Sequence, residues 1–86
     1  MQTLAGKPIV EYPCSWQWRI IGTDPDRLRS AVAEVVTDRD FVLHEANRSP
    51  AGRWLSMHLE LEVASERDRN DIHRALTGHR WIRLAL

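Results

Sequence analysis

The sequence contains one cysteine in 86 residues. That excludes an internal disulfide framework and a zinc site built from several thiolates. It has no net charge either: Lys plus Arg number 12 and Asp plus Glu number 12. Non-specific nucleic-acid binding draws on a surplus of cations that displaces counterions, and overall there is none. A local basic patch is compatible with the balance. No apolar run approaches the ~20 residues that span a bilayer. The opening stretch MQTLAGKPIVEYP lacks the apolar core of a secretory signal. Repeats and low-complexity tracts are missing too. These absences predict a cytoplasmic protein of one domain with a modest core.

What is present is periodicity. Residues 1–14 hold Gly6, Pro8 and Pro13 with little pattern and read as an extended arm ahead of a domain at 15–86. Pro13 biases Tyr12 toward extended backbone. In SWQWRII, Trp16, Trp18 and Ile20 alternate with Gln17, Arg19 and Ile21, which is a strand signal. Gly22 ends it. TDPDRLRSAVAEVVTDRD starts a helix with Asp24 as N-cap, Pro25 at the first position and Asp26 in the first turn. Leu28, Ala31, Val32, Val35 and Val36 form its buried stripe.

FVLHEAN reads as a second strand of ambiguous register, because Phe41 and Leu43 compete with Val42 and Ala46 for the core. Pro50 and Gly52 mark the turn in RSPAGR. WLSMHLELEV alternates cleanly: Leu55, Met57, Leu59, Leu61 and Val63 against Trp54, Ser56, His58, Glu60 and Glu62. SERDRNDIHRALTG is a second helix, with a capping-box pattern at Ser65 and Asp68 and a stop at Gly78. Its apolar face is thin: Ile72, Ala75 and Leu76. RWIRLAL closes the chain as a strand, with Ile82, Leu84 and Leu86 expected on one face.

The order βαββαβ, with right-handed crossovers, predicts an α+β ferredoxin-like two-layer sandwich: a four-stranded antiparallel sheet with two helices on one face.

The run Tyr12, Pro13, Trp16, Trp18, Arg19, Ile20, Ile21 and Gly22, followed by the amphipathic helix, the Gly52 turn, the alternating strand and the ending IRLAL, resembles the YbeD family of small bacterial proteins of unknown function. The resemblance spans residues 12 to 86. It implies the ferredoxin-like fold, likeness to ACT-type regulatory domains and a link to lipoate metabolism. It brings no catalytic residues and no cofactor. Arg69, one turn before Ile72, departs from the aliphatic residue expected there and implies a loosely packed second helix.

Each conspicuous residue has a plain structural account. Trp16 and Trp18 are expected to be core, since stacking on RNA needs rings on the open face of the central strands. Cys14 lacks a base at diagnostic spacing and is expected to be a bystander. His58, Glu60 and Glu62 line one strand face and could hold a metal with His44, if the second strand's register allows. His73 and His79 are expected to meet the carbonyls ending the second helix. The open sheet face, with Gln17, Arg19, Ile21, Trp54, His58, Glu60 and Arg83, is the expected docking surface. Arg19 and Arg83 are expected there beside Glu60 and Glu62. The expected function is non-enzymatic: a regulatory or adaptor module that binds a protein partner, a second copy or a small effector. RNA binding on the sheet face is the alternative, and a small metal-dependent protein a weaker one.

Overall fold

The computed structural model describes residues 10–86. The first nine residues of the expected N-terminal arm lie outside the described residues. Six elements follow in order: β1 (Cys14–Gly22), α1 (Pro25–Val36), β2 (Val42–Arg48), β3 (Leu55–Val63), α2 (Glu66–Thr77) and β4 (Leu84–Ala85). The four strands form one antiparallel sheet in the order β2-β3-β1-β4, as the ferredoxin-like topology requires.

The two long central strands set the frame. Trp18 pairs with Leu59 and Ile20 with Met57, so the apolar parities of β1 and β3 fall on the same side. Trp18, Ile20, Leu55, Met57, Leu59, Leu61 and Val63 are all buried there. Against them α1 lays Leu28, Ala31, Val32 and Val36, the stripe read from the sequence. Its start is also as expected. The Asp24 carboxylate accepts from the Asp26 and Arg27 amides at 2.9 and 3.2 Å, and Pro25 takes the first position.

Pairing with β3 settles the register of β2. Leu43 lies opposite Leu59, and Phe41 and Leu43 pack on the core, while Val42 points outward. The sequence could not choose because both parities carry apolar side chains. A bulge between Glu45 and Asn47 shifts the pairing beyond it.

The second helix differs most from expectation. Only Ile72 and Leu76 are buried, and Ala75 is exposed. Its sheet-facing stripe is Arg69, Ile72, His73 and Leu76, and the two polar members meet the two tryptophans of β1. The Arg69 guanidinium lies 4.5 Å from the Trp16 ring centre and donates to the Tyr12 hydroxyl at 3.1 Å. His73 Nδ1 accepts from Trp18 Nε1 at 3.3 Å. Large indoles from the strand thus replace aliphatic volume missing from the helix. Arg69 fills the expected gap instead of loosening the packing. Trp18 is core, 3% exposed, whereas Trp16 is half-buried at the margin under Arg69.

Ser65 Oγ accepts from the Asp68 amide at 3.0 Å. Asp68, one methylene shorter than Glu, returns its bond to the Ala64 amide at 2.9 Å, a residue earlier than in a capping box. The same carboxylate receives Arg39 through two bonds, of 2.7 and 2.6 Å. The bonds from Arg39 and Ala64 hold its pKa below the usual aspartate value. A depressed folded-state pKa contributes stability that is complete above the unfolded value and fades as pH falls through the folded one. Asp68→Asn is therefore expected to cost about 0.5–1.5 kcal/mol near neutral pH. Urea midpoints of variant and wild type should converge as pH falls below the aspartate value of an unfolded chain and then through the lower folded one. A gap that persists there would refute the electrostatic account.

The chain's end departs from the expected strand. Residues 79 to 83 form a turn in which the Ile82 amide bonds the His79 carbonyl, and only Leu84 and Ala85 are strand. The turn is tied by His79. Its Nδ1 accepts from the Trp81 amide at 3.2 Å, and its Nε2 lies 3.0 Å from Glu34 of α1. That pairing places the ring proton on Nε2. Contrary to expectation, neither His79 nor His73 bonds a helix-terminal carbonyl with its side chain among the described residues. Ile82 and Ala85 are buried, and Leu84 and Leu86 are exposed, contrary to the alternation read from RWIRLAL.

Candidate functional site

The sheet face away from the helices follows from the same pairings. Gln17, Arg19 and Ile21 lie opposite Glu60, His58 and Ser56. β2 adds Val42 beside Glu60 and His44 beside His58. β4 sets Leu84 beside Ile21, and Leu86 exchanges both main-chain bonds with Arg19, at 3.1 and 2.9 Å. One row therefore reads His44, His58, Arg19, Leu86 across all four strands. The alternation predicted the places of Gln17, Arg19, Ile21, His58 and Glu60 on this face.

Its chemistry is mixed. Val42 is 59% exposed at the β2 edge, and Leu84 and Leu86 are 46 and 64% exposed at the β4 edge, with the charged centre between them. These three were missed by sequence reasoning. For Val42 the missing signal was register, and for the leucines it was the parity of β4. A shallow cavity of about 330 Å³ beside Arg19 is lined by Gln17, Trp18, His58 and Leu86. Among the described residues Arg19 makes no ion pair, so the expected pairing with Glu60 or Glu62 does not form. Glu60 instead accepts from the Ser15 hydroxyl at 2.6 Å.

Trp54 and Arg83 sit elsewhere. Trp54, just before β3, is half-buried and lines a groove with Ile21, Arg48 and Ser56 at one end of the face. Arg83 precedes β4 and is exposed, and it shares a second cavity with Trp54 beyond the end of β1. Arg19 and Arg83 therefore do not stand side by side, because the slipped parity gives Leu84 the place opposite Ile21.

The register brings His44 and His58 together, with ring centres 5.4 Å apart. Among the described residues no three ligating side chains converge on one point. Cys14 is half-buried against the core, and its thiol makes no hydrogen bond among the described residues. The pocket of about 450 Å³ at the opposite end of the sheet is lined by Arg39, Asp68, Asp40 and Glu62. Its one arginine is already neutralised by Asp68. Among the described residues no helix is long and apolar enough to cross a membrane.

Comparisons with known proteins agree with this architecture. The family model described as "Protein of unknown function (DUF493)" matches residues 7–86. An uncharacterized protein of Helicobacter pylori is 33% identical over 73 residues, covering 83% of each chain. A UPF0250 protein of Janthinobacterium is 26% identical over 82 residues, covering 91% of this chain and 90% of that one. The solution structure of protein HP0495 from H. pylori superposes with a TM-score of 0.82 at 28% identity, covering 100% of this chain and 94% of that one. None of these descriptions names an activity. The YbeD-like resemblance carried by Tyr12 to Gly22 is borne out, and the chain belongs to the DUF493 family of proteins of unknown function.

Proposed function

We propose that this protein is a non-enzymatic, ACT-like regulatory or adaptor module that acts in the cytoplasm by docking its open sheet face onto a protein surface. One observation carries the reading. Three aliphatic side chains stand exposed on one face, Leu84 and Leu86 at the edge beside Ile21 and Arg19, and Val42 at the opposite edge. Exposed aliphatic side chains at both edges of a face with a polar, partly charged middle mix apolar area with hydrogen-bonding groups, as the surfaces of non-obligate protein contacts do. The ionisable groups of this face are spread along the strands, an arrangement that suits docking better than acid–base or nucleophilic chemistry. RNA stacking is disfavoured for the same face, because its central positions Gln17, Arg19, His58 and Glu60 carry no Phe, Tyr or Trp and include a carboxylate that repels phosphate.

The test compares wild type with an Arg19→Glu/Leu84→Asp double variant. Cross-linked partners are captured from the native cell and then rebound as purified proteins. Both positions are exposed on the sheet, so the fold should survive. Affinity for a genuine partner should fall by about tenfold or more. Sedimentation of the pure protein distinguishes a second copy from another protein. Partners bound equally by the variant would overturn the reading.

A further inference from the structure

The zero net charge conceals a segregation. Arg27 at the start of α1, Arg53 in the β2–β3 turn, and Arg80 and Arg83 before β4 gather at the end of the sheet where β1 stops. A cavity of about 320 Å³ opens there, lined by Gly22, Thr23, Trp54, Arg80, Trp81 and Arg83 along with Ile82. Among the described residues no carboxylate lines it.

The arginines are held in a particular way. The Arg27 guanidinium lies 3.8 Å from the centre of the Trp81 ring, and that of Arg80 lies 5.0 Å from it. Arg53 lies 5.6 Å from the centre of Trp54. A guanidinium resting on an indole keeps its N–H fork unspent, because the ring is met by its face and the donors lie in its plane. Among the described residues Arg53, Arg80 and Arg83 have no ion pair and donate no side-chain hydrogen bond. Asp24, next to Thr23 of the lining, is occupied by the Asp26 and Arg27 amides and stands 4.0 Å from Arg27 Nε. Every described cation of this chain is arginine, since the one lysine is Lys7. Arginine is the cation whose fork matches the oxygens of phosphate and carboxylate.

We infer that this cavity binds the phosphate of a phosphorylated ligand, with Arg80 and Arg83 as its charged donors and Trp54 and Trp81 as walls for the ligand's planar or apolar body. Several uncompensated guanidiniums suit a dianion with three free oxygens better than one carboxylate. The indoles suit a ring attached to it, as in a nucleotide. The site lies at the sheet's end, apart from the Arg19-centred face, and the inference does not rest on the docking proposal.

The test follows the indole N–H signals by two-dimensional NMR of the full chain. Each of the four tryptophans has one such signal, so the two candidates report separately from Trp16 and Trp18. Inorganic phosphate, adenosine monophosphate, adenosine and a short single-stranded RNA are titrated in turn, with sodium chloride at matched ionic strength as control. Adenosine monophosphate should shift Trp54 and Trp81 saturably, with a dissociation constant of about 1 mM or tighter. Inorganic phosphate should bind more weakly, and adenosine weakest. Arg80→Gln/Arg83→Gln should weaken adenosine monophosphate about tenfold or more while leaving the Trp18 signal in place. RNA binding far tighter than the mononucleotide, with the same two indoles shifting, would support the assignment and make a polynucleotide its source. Shifts reproduced by chloride, adenosine binding as well as its phosphate, or an indifferent double variant would each overturn it.

Discussion

Trp18→Ala is expected to cost about 3–5 kcal/mol of folding free energy. A domain of this size has a total of roughly 5–15 kcal/mol to lose. The melting temperature should fall on the order of 15–30 °C. The size of the effect follows from position. Trp18 sits at 3% exposure on a central strand, paired with Leu59, beneath a helix that contributes only Ile72 and Leu76 to the core. Truncation removes the volume that compensates for this thin helix face. It also strands His73 Nδ1, which accepts the indole N–H. Trp18→Phe keeps most of the ring and should cost about 1–2 kcal/mol, the hydrogen bond and part of the volume. Trp16→Ala removes an equally large side chain, but from the half-buried margin under Arg69, and should cost less than half as much as Trp18→Ala. Urea denaturation of the three variants checks the order. Equal losses at Trp16 and Trp18 would contradict the view that one ring is core and the other its cover.

Gly22→Ala should destabilise by about 1–3 kcal/mol, although it adds a single methyl group. A Cβ at this position would stand 2.7 Å from Leu28 Cδ2 and 2.9 Å from the carbonyl oxygen of Trp81. Leu28 is fully buried and has no room to yield, and the Trp81 oxygen is main chain. Relief would push the 79–83 turn outward and strain the Arg83 amide bond to the Ile21 carbonyl, now 2.8 Å. The contrast is Gly78→Ala. Gly78 caps α2 with φ −88°, a conformation any residue adopts, and its nearest contact would be 3.3 Å. That change should be neutral or stabilise by up to about 1 kcal/mol through the unfolded chain. Thermal melts of the two alanine variants should therefore move apart. If both fall together, close approach at Gly22 is not what that glycine serves.

The central strands were legible because a strand half-buried in a two-layer fold must alternate, and β3 alternates without exception and β1 with Ile21 as its one outward apolar residue. The start of α1 was legible for a local reason too, since a cap acts within three residues. The errors share a cause. At Phe41 to Leu43 both parities are apolar, so only the partner strand could choose. In RWIRLAL the tie from His79 to the Trp81 amide holds the chain in a turn. The strand is thereby delayed to Leu84, and the faces of its leucines change with it. Arg69 looked like a defect in an apolar stripe because its complement, Trp16, lies 53 residues earlier in the chain.

The candidate sites divide the same way. Period-two alternation in single segments was enough to place Gln17, Arg19, Ile21, His58 and Glu60 on one open face. No segment read alone could assemble Trp54, Trp81, Arg27, Arg80 and Arg83, which come from the β2–β3 turn, the start of α1 and the turn before β4. Element order, the sandwich and the inward side of the two long strands could be read from the chain alone, because these depend on local periodicity and on burying one face. The register of β2, the parity of β4, the pairing of tryptophans with Arg69 and His73, and the gathering of arginines at one end came from long-range packing. Each of those depends on contacts between residues far apart in the chain, to which a neutral total charge and a local pattern are blind.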